Sequence, residues 1–175
     1  MKAILLGLLL VLSVVEANQL RAAPGPMDNL IETLRGVFES WEVNKEEVEK
    51  LLLCVADLKD IEFQIEQILE ELKKLDLKDI LKLVEIITRI IGEVQQVFKD
   101  IEPCLDSTGE IKKLINKFIN LTPIEMLNRI IKHIMYSGKE IYDAIMKIIQ
   151  GYKDKSYYVI GYNIGEIIEL LFFKD

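Results

Sequence analysis

The sequence predicts an all-α protein, a bundle of about six helices closed by one disulfide. Three observations carry that prediction. Apolar residues recur at steps of three and four from Leu30 to Leu171, and no stretch shows the period of two that a half-buried strand requires. Helix-start signals, a polar side-chain oxygen with a carboxylate three residues on, precede several of these rows. Hydrophobic residues make up 50% of the chain, mostly Ile and Leu, which is enough to fill a core.

Residues 1–17 read as a secretory signal peptide: Met1-Lys2 is a short basic start, Ile4 to Val15 an almost unbroken apolar run, and Val15-Glu16-Ala17 a small-residue cleavage site. A run of about a dozen residues is too short for a hydrocarbon core that needs roughly 20. No later stretch is both long enough and free of charge, so no transmembrane segment is expected in the mature chain. The expected location is therefore extracellular or a secretory compartment. Loss of the signal removes Lys2 and Glu16 together, so the mature chain keeps the formal charge of −7. That acidic balance argues against nucleic acid as a partner, since polyphosphate rewards Lys and Arg.

Residues 18–27 read as a linker, because Pro24 and Pro26 lack an amide hydrogen and restrict their neighbours. Residues 28–175 read as one helical domain. Asp28 is the expected cap of a first helix carrying Leu30, Leu34, Val37, Phe38 and Trp41. Asn44, with Glu47 three residues on, opens a second, long helix to about Lys74, whose row from Val48 to Leu75 holds one three-residue stammer at Ile61. Asp76 is expected to cap a third. Its row Leu77, Ile80, Val84, Ile87, Ile91, Val94, Phe98 and Ile101 is a heptad seam, and Leu83, Ile86, Ile90 and Val97 form a second row beside it, which predicts a central helix. After Pro103, Ser107-Thr108-Gly109-Glu110 is a capping box for a short helix through Phe118. Thr122-Pro123-Ile124-Glu125 starts a fifth helix, expected to run unbroken with Ile124, Leu127, Ile131, Ile134, Gly138, Ile141, Ile145 and Ile148 in its seam. Gly151 and Asp154 separate it from a last helix, Lys155 to about Phe173, with a seam of Tyr157, Ile160, Ile164, Ile167 and Leu171.

Cys54 and Cys104 have one possible intramolecular pairing, in a compartment that favours disulfides. Two free buried thiols are the alternative; a Zn site lacks the four ligands it needs. If the second and third helices fold back at residues 75–76, Cys54 lies roughly 32 Å before the turn and Cys104 roughly 39 Å after it at 1.5 Å per residue, similar heights for a bridge.

No catalytic, metal or cofactor motif follows the signal. His133 is the only histidine, and Ser137 one turn on suits a surface polar pair better than a nucleophile and its base. Glu62, Glu66 and Glu70 recur every four residues as a solvated face, with Glu70 placed to pair with Lys74, rather than as the folded-back loop that a calcium ion requires. Asn120-Leu121-Thr122 is a formal glycosylation sequon weakened by the following proline, which leaves Asn120 a possible acceptor.

Gly161 and Gly165 lie one turn apart beside Tyr158, Ile168 and Phe172 and leave a furrow along the last helix. Glycine in a helix costs about 1 kcal/mol against alanine, so something should offset it. Either another helix approaches closely, the one carrying Gly138 being the expected partner, or the furrow is space for an apolar ligand.

The segment Tyr157-Tyr158-Val159-Ile160-Gly161-Tyr162-Asn163-Ile164-Gly165-Glu166-Ile167-Ile168, after Gly151-Tyr152 and two well-separated cysteines, resembles small secreted helical proteins found in many copies in ciliates. The resemblance implies a secreted helical fold and brings no activity, cofactor or catalytic residue. The expectation is a secreted, non-enzymatic protein acting by binding a protein partner or as a structural component. The alternative is a carrier of lipid or another apolar molecule, or a membrane-active bundle.

Overall fold

A computed structural model describes residues 24–58, 61, 63–76, 78–105 and 109–173. The expected signal peptide, most of the linker, Glu62, Leu77 and the Ser107-Thr108 pair lie outside them. Eight α-helices run through the described residues, and no strand: α1 Pro26–Ser40, α2 Lys45–Ala56, α3 Ile65–Lys74, α4 Ile80–Asp100, α5 Glu110–Ile119, α6 Pro123–Tyr136, α7 Gly138–Lys153 and α8 Tyr157–Ile168. A 3-10 turn, Glu102–Cys104, follows α4, and a π-helical turn, Glu169–Phe173, extends α8.

The count exceeds the expected six because two helices divide. The long second helix ends at Ala56 and resumes as α3 at Ile65, across the stammer at Ile61. The fifth breaks at Ser137, where φ is −124° and ψ 29°. Ser137-Gly138 pairs two residues of low helix propensity, the composition at which helices kink. The hydrogen-bond ladder is kept on both sides of the kink, Ser137 N donating to the His133 carbonyl at 2.7 Å and Ile141 N to the Ser137 carbonyl at 3.2 Å. Thus α6 and α7 form a bent rod rather than a hairpin.

Caps account for the starts. Helix α1 begins at Pro26, earlier than expected, because proline is tolerated in the first turn; Gly25 N donates to Asp28 Oδ2 at 2.8 Å, so Asp28 acts from the third position and not as the cap itself. Asn44 Oδ1 accepts from Glu46 N and Glu47 N. Helix α4 starts at Ile80 under Asp79, whose Oδ1 accepts from Lys82 N, while Asp76 closes a local turn by accepting from Lys78 N. Thr122 and Glu125 form the expected reciprocal cap of α6. Helix α5 is capped from across the molecule: Glu47 accepts from Ile111 N at 3.1 Å and Glu110 N at 3.3 Å.

The core is one apolar cluster. Helix α4 packs against α3, α5 and α6, as its two apolar rows require, with Ile87, Ile91, Val94 and Phe98 of one row and Leu83, Ile86, Ile90 and Val97 of the other all buried. The most extensive pairing joins α1 to α8, and α7 packs beside α8. An aromatic chain closes the lower core: Phe38, Trp41, Phe98, Phe118 and Phe172 follow one another with ring centroids 5.5–5.8 Å apart, and Trp41 meets Phe173 at 5.2 Å.

Candidate functional site

The glycines of α8 face α1. A Cβ on Gly161 would lie 2.0 Å from the Thr33 carbonyl oxygen, and one on Gly165 2.9 Å from the Val37 oxygen and 2.0 Å from Ser40 Oγ. The contact is reciprocal, since a Cβ on Gly36 would lie 2.3 Å from the Tyr158 oxygen. Backbone meets backbone along this crossing, and the furrow holds a helix rather than space for a ligand. The expected partner is corrected: a Cβ on Gly138 meets nothing within 4 Å, because the kink puts that glycine in the first turn of α7, away from α8's glycines. Gly36 was missed. Its signal was the row of small residues Thr33, Gly36 and Ser40 at steps of three and four.

A polar bond spans the crossing, and the hydroxyls within it turn back to carbonyls of their own helix. Trp41 Nε1 donates to the Gly165 carbonyl at 3.0 Å, Thr33 Oγ1 to Asn29 O at 2.8 Å and Ser40 Oγ to Val37 O at 2.7 Å. Burial, and the neighbouring Glu39 carboxylate, push the Tyr158 hydroxyl above its usual range. Ile168 and Phe172 are buried, Phe172 between Phe118 and the Arg129 guanidinium 6.0 Å from its ring.

Cys54 and Cys104 lie at disulfide distance, S–S 2.04 Å with Cα atoms 5.7 Å apart. The bridge ties the end of α2 to the 3-10 turn after α4. It therefore fastens a separate helix, and not the open end of the single hairpin drawn from the sequence.

The carboxylates of α3 are engaged. Glu66 accepts from the Tyr157 hydroxyl at 2.7 Å and Glu70 from the Tyr152 hydroxyl at 2.9 Å, while Lys73, not Lys74, lies 3.6 Å from Glu70. The Tyr152 bond is the main cause that lowers the Glu70 pKa. Among the described residues no group of His, Cys, Asp or Glu could hold a metal ion. His133 is half-buried, which, with Lys132 and Arg129 nearby, lowers its pKa; Ser137 has become the kink. Asn120 is exposed at the end of α5, where its Nδ2 donates to Asn116 O at 2.7 Å.

The surface clefts open to solvent between charged side chains. One of them, about 570 Å³, is lined by Asn44, Glu46, Glu47, Lys50, Cys104 and Ile111, among others. No helix of the described residues is long and apolar enough to cross a membrane.

One surface stands apart. Of ten exposed large apolar side chains among the described residues, seven lie between Ile124 and Met146: Ile124, Leu127, Ile131, Met135, Tyr136, Tyr142 and Met146. This corrects the expected seam. Met126 and Ile130 turn inward on α6 and Ile141, Ile145 and Ile148 on α7, so Ile124, Leu127 and Ile131 are left in water. The α6 sequence carries two apolar rows where a helix at the edge of a core can bury only one.

The chain matches the family model described as SctB-like, secreted protein B-like, over residues 18–173. It belongs to that family. No curated protein and no solved structure matches it. Membership in a secreted-protein family places the protein outside the cell or in the secretory route at that coarse level, and this is also the level at which the resemblance to secreted helical proteins is met; the match says nothing of ciliates.

Proposed function

We propose that this secreted protein acts without catalysis, by binding a protein partner, and that the exposed apolar face of α6 and α7 is the surface it binds with. The observation that carries the reading is the concentration of apolar side chains on that face, with Ile124 73%, Leu127 41%, Ile131 43% and Met135 75% exposed in one row. Apolar surface gathered on one face is the mark of an interaction site, whereas single exposed residues need no account. The occupied α1–α8 crossing supports recognition over the carrier reading, because the one furrow foreseen for an apolar ligand is filled by backbone.

Native mass spectrometry of the protein from its own secreted material tests this. The expected species are protein assemblies without lipid, absent when Ile131→Ser and Met135→Ser are introduced together. Lipid bound at fixed stoichiometry, unaffected by those changes, would reject the reading in favour of a carrier.

A further inference from the structure

The apolar row does not end at the kink. On α6 it runs Ile124, Leu127, Ile131, Met135, at steps of three, four and four. On α7, read from C- to N-terminus, it runs Ile149, Met146, Tyr142, Gly138, at the same steps. The charged row next round the helix repeats the correspondence: α6 carries Glu125, Arg129 and Lys132 at steps of four and three, and α7 read backwards carries Lys147, Asp143 and Glu140 at steps of four and three, opposite in sign at each position.

We infer that the α6–α7 face takes a second copy of this chain, antiparallel and two-fold about the Ser137 kink, so that α6 of each copy lies along α7 of the other. The inference rests on the recognition reading above and names its partner. A two-fold interface must be self-complementary, each contact occurring twice with the roles exchanged. The reversed match of α6 to α7 supplies that: Ile131 meets Tyr142, Leu127 meets Met146, and Glu125, Arg129 and Lys132 meet Lys147, Asp143 and Glu140. The glycine at position 138 leaves room opposite Met135, since nothing lies within 4 Å of its Cβ direction.

Placement and charge agree. Six of the seven exposed apolar side chains, all but Tyr136, lie on these two rows, an apolar centre of the kind around which a standard interface of roughly 800 Å² per partner is built. The chain carries −7, yet the six charged residues of this row, three of each sign, sum to zero. Glu140, Asp143 and Lys147 also line a cleft with Glu166 of α8 and Glu169 of the turn that extends it, so the attraction between copies comes from the pairs of opposite sign rather than from a neutral surface. A lipid surface is less well matched, because an interfacial helix carries an excess of Lys and Arg on its polar face and this one is balanced.

Sedimentation and light scattering of the mature chain, from 1 μM upward at about 0.15 M salt, where the repulsion is screened, should show a concentration-dependent dimer. Ile131→Asp with Met135→Ser should abolish it while circular dichroism and melting temperature stay those of a folded helical protein. Lys132→Glu alone and Glu140→Lys alone should each weaken the dimer at least tenfold. Mixing these two variants should restore it as a heterodimer, because both exchanged pairs are then of opposite sign. A monomer at every concentration would overturn the dimer yet leave the recognition reading standing. A dimer indifferent to the Ile131 and Met135 changes would overturn the assignment of this face, and binding of the monomer to phosphatidylcholine–phosphatidylglycerol vesicles would replace the second copy with a lipid surface.

Discussion

Gly161 and Gly138 are both helical glycines on apolar rows, and their surroundings differ completely. A methyl group at residue 161 would overlap the Thr33 backbone at 2.0 Å, and backbone cannot rotate away. At residue 138 the same methyl meets nothing. Gly161→Ala should therefore destabilise by at least the 1–3 kcal/mol typical of overpacking, and Gly161→Leu by more. Gly138→Ala should be neutral or gain up to about 1 kcal/mol through the more restricted unfolded chain. Denaturant unfolding of the two alanine variants checks the contrast, and equal stability would refute the crossing. The sequence made the glycine pair on α8 legible, since a glycine cost within a helix asks for an offset. It did not make the partner legible, because which helix fills a furrow is decided by tertiary packing across more than a hundred residues.

At the scale of the element, local signals held in some places and not in others: Asp28 and Asp76 were expected as caps, but Gly25 and Asp79 hold those positions. Thr122 and Glu125 are three residues apart, so their reciprocal cap depends on nothing distant. The cap of α5 shows the converse: Glu47 reaches it from 63 residues away, a separation at which sequence spacing carries no information. The kink at Ser137 lies between. Its Ser-Gly composition was visible, but a regular apolar seam argued against a break, and the seam was regular because α6 carries two rows. The Thr122–Glu125 cap also sets a pH dependence. The Thr122 backbone amide, donating to Glu125, holds its carboxyl below the ordinary 4.5. A carboxylate with a depressed folded-state pKa contributes stability above its unfolded value and loses it as pH falls through the folded one. Glu125→Gln should thus lower the melting temperature at pH 7, and the difference should shrink as the pH is taken below about 4.5. A difference that holds constant down to pH 2 would contradict the cap.

For the whole molecule, the disulfide and the core act on different states. Cys54 and Cys104 are 50 residues apart, and closing a loop of that length stabilises by about 4 kcal/mol on the chain-entropy model. The apolar cluster spans all eight helices and does not depend on the bridge for its contacts. Reduction should lower the melting temperature while far-ultraviolet circular dichroism at 20 °C stays helical; loss of helicity on reduction would mean that the core alone cannot hold the fold. Backbone fills the α1–α8 furrow, which leaves the outer surface as the place to bind. The apolar α6–α7 face carries the account, and three methionines measure it within one stretch of chain: Met126 is 5% exposed, Met135 75% and Met146 43%. Hydroxyl-radical footprinting of the protein in its native secreted material, against the same protein isolated and diluted, reads their oxidation side by side. The account predicts that Met135 and Met146 are protected in the native material and oxidised in the dilute protein, with Met126 slow in both; Met135 oxidised equally in the two would contradict it.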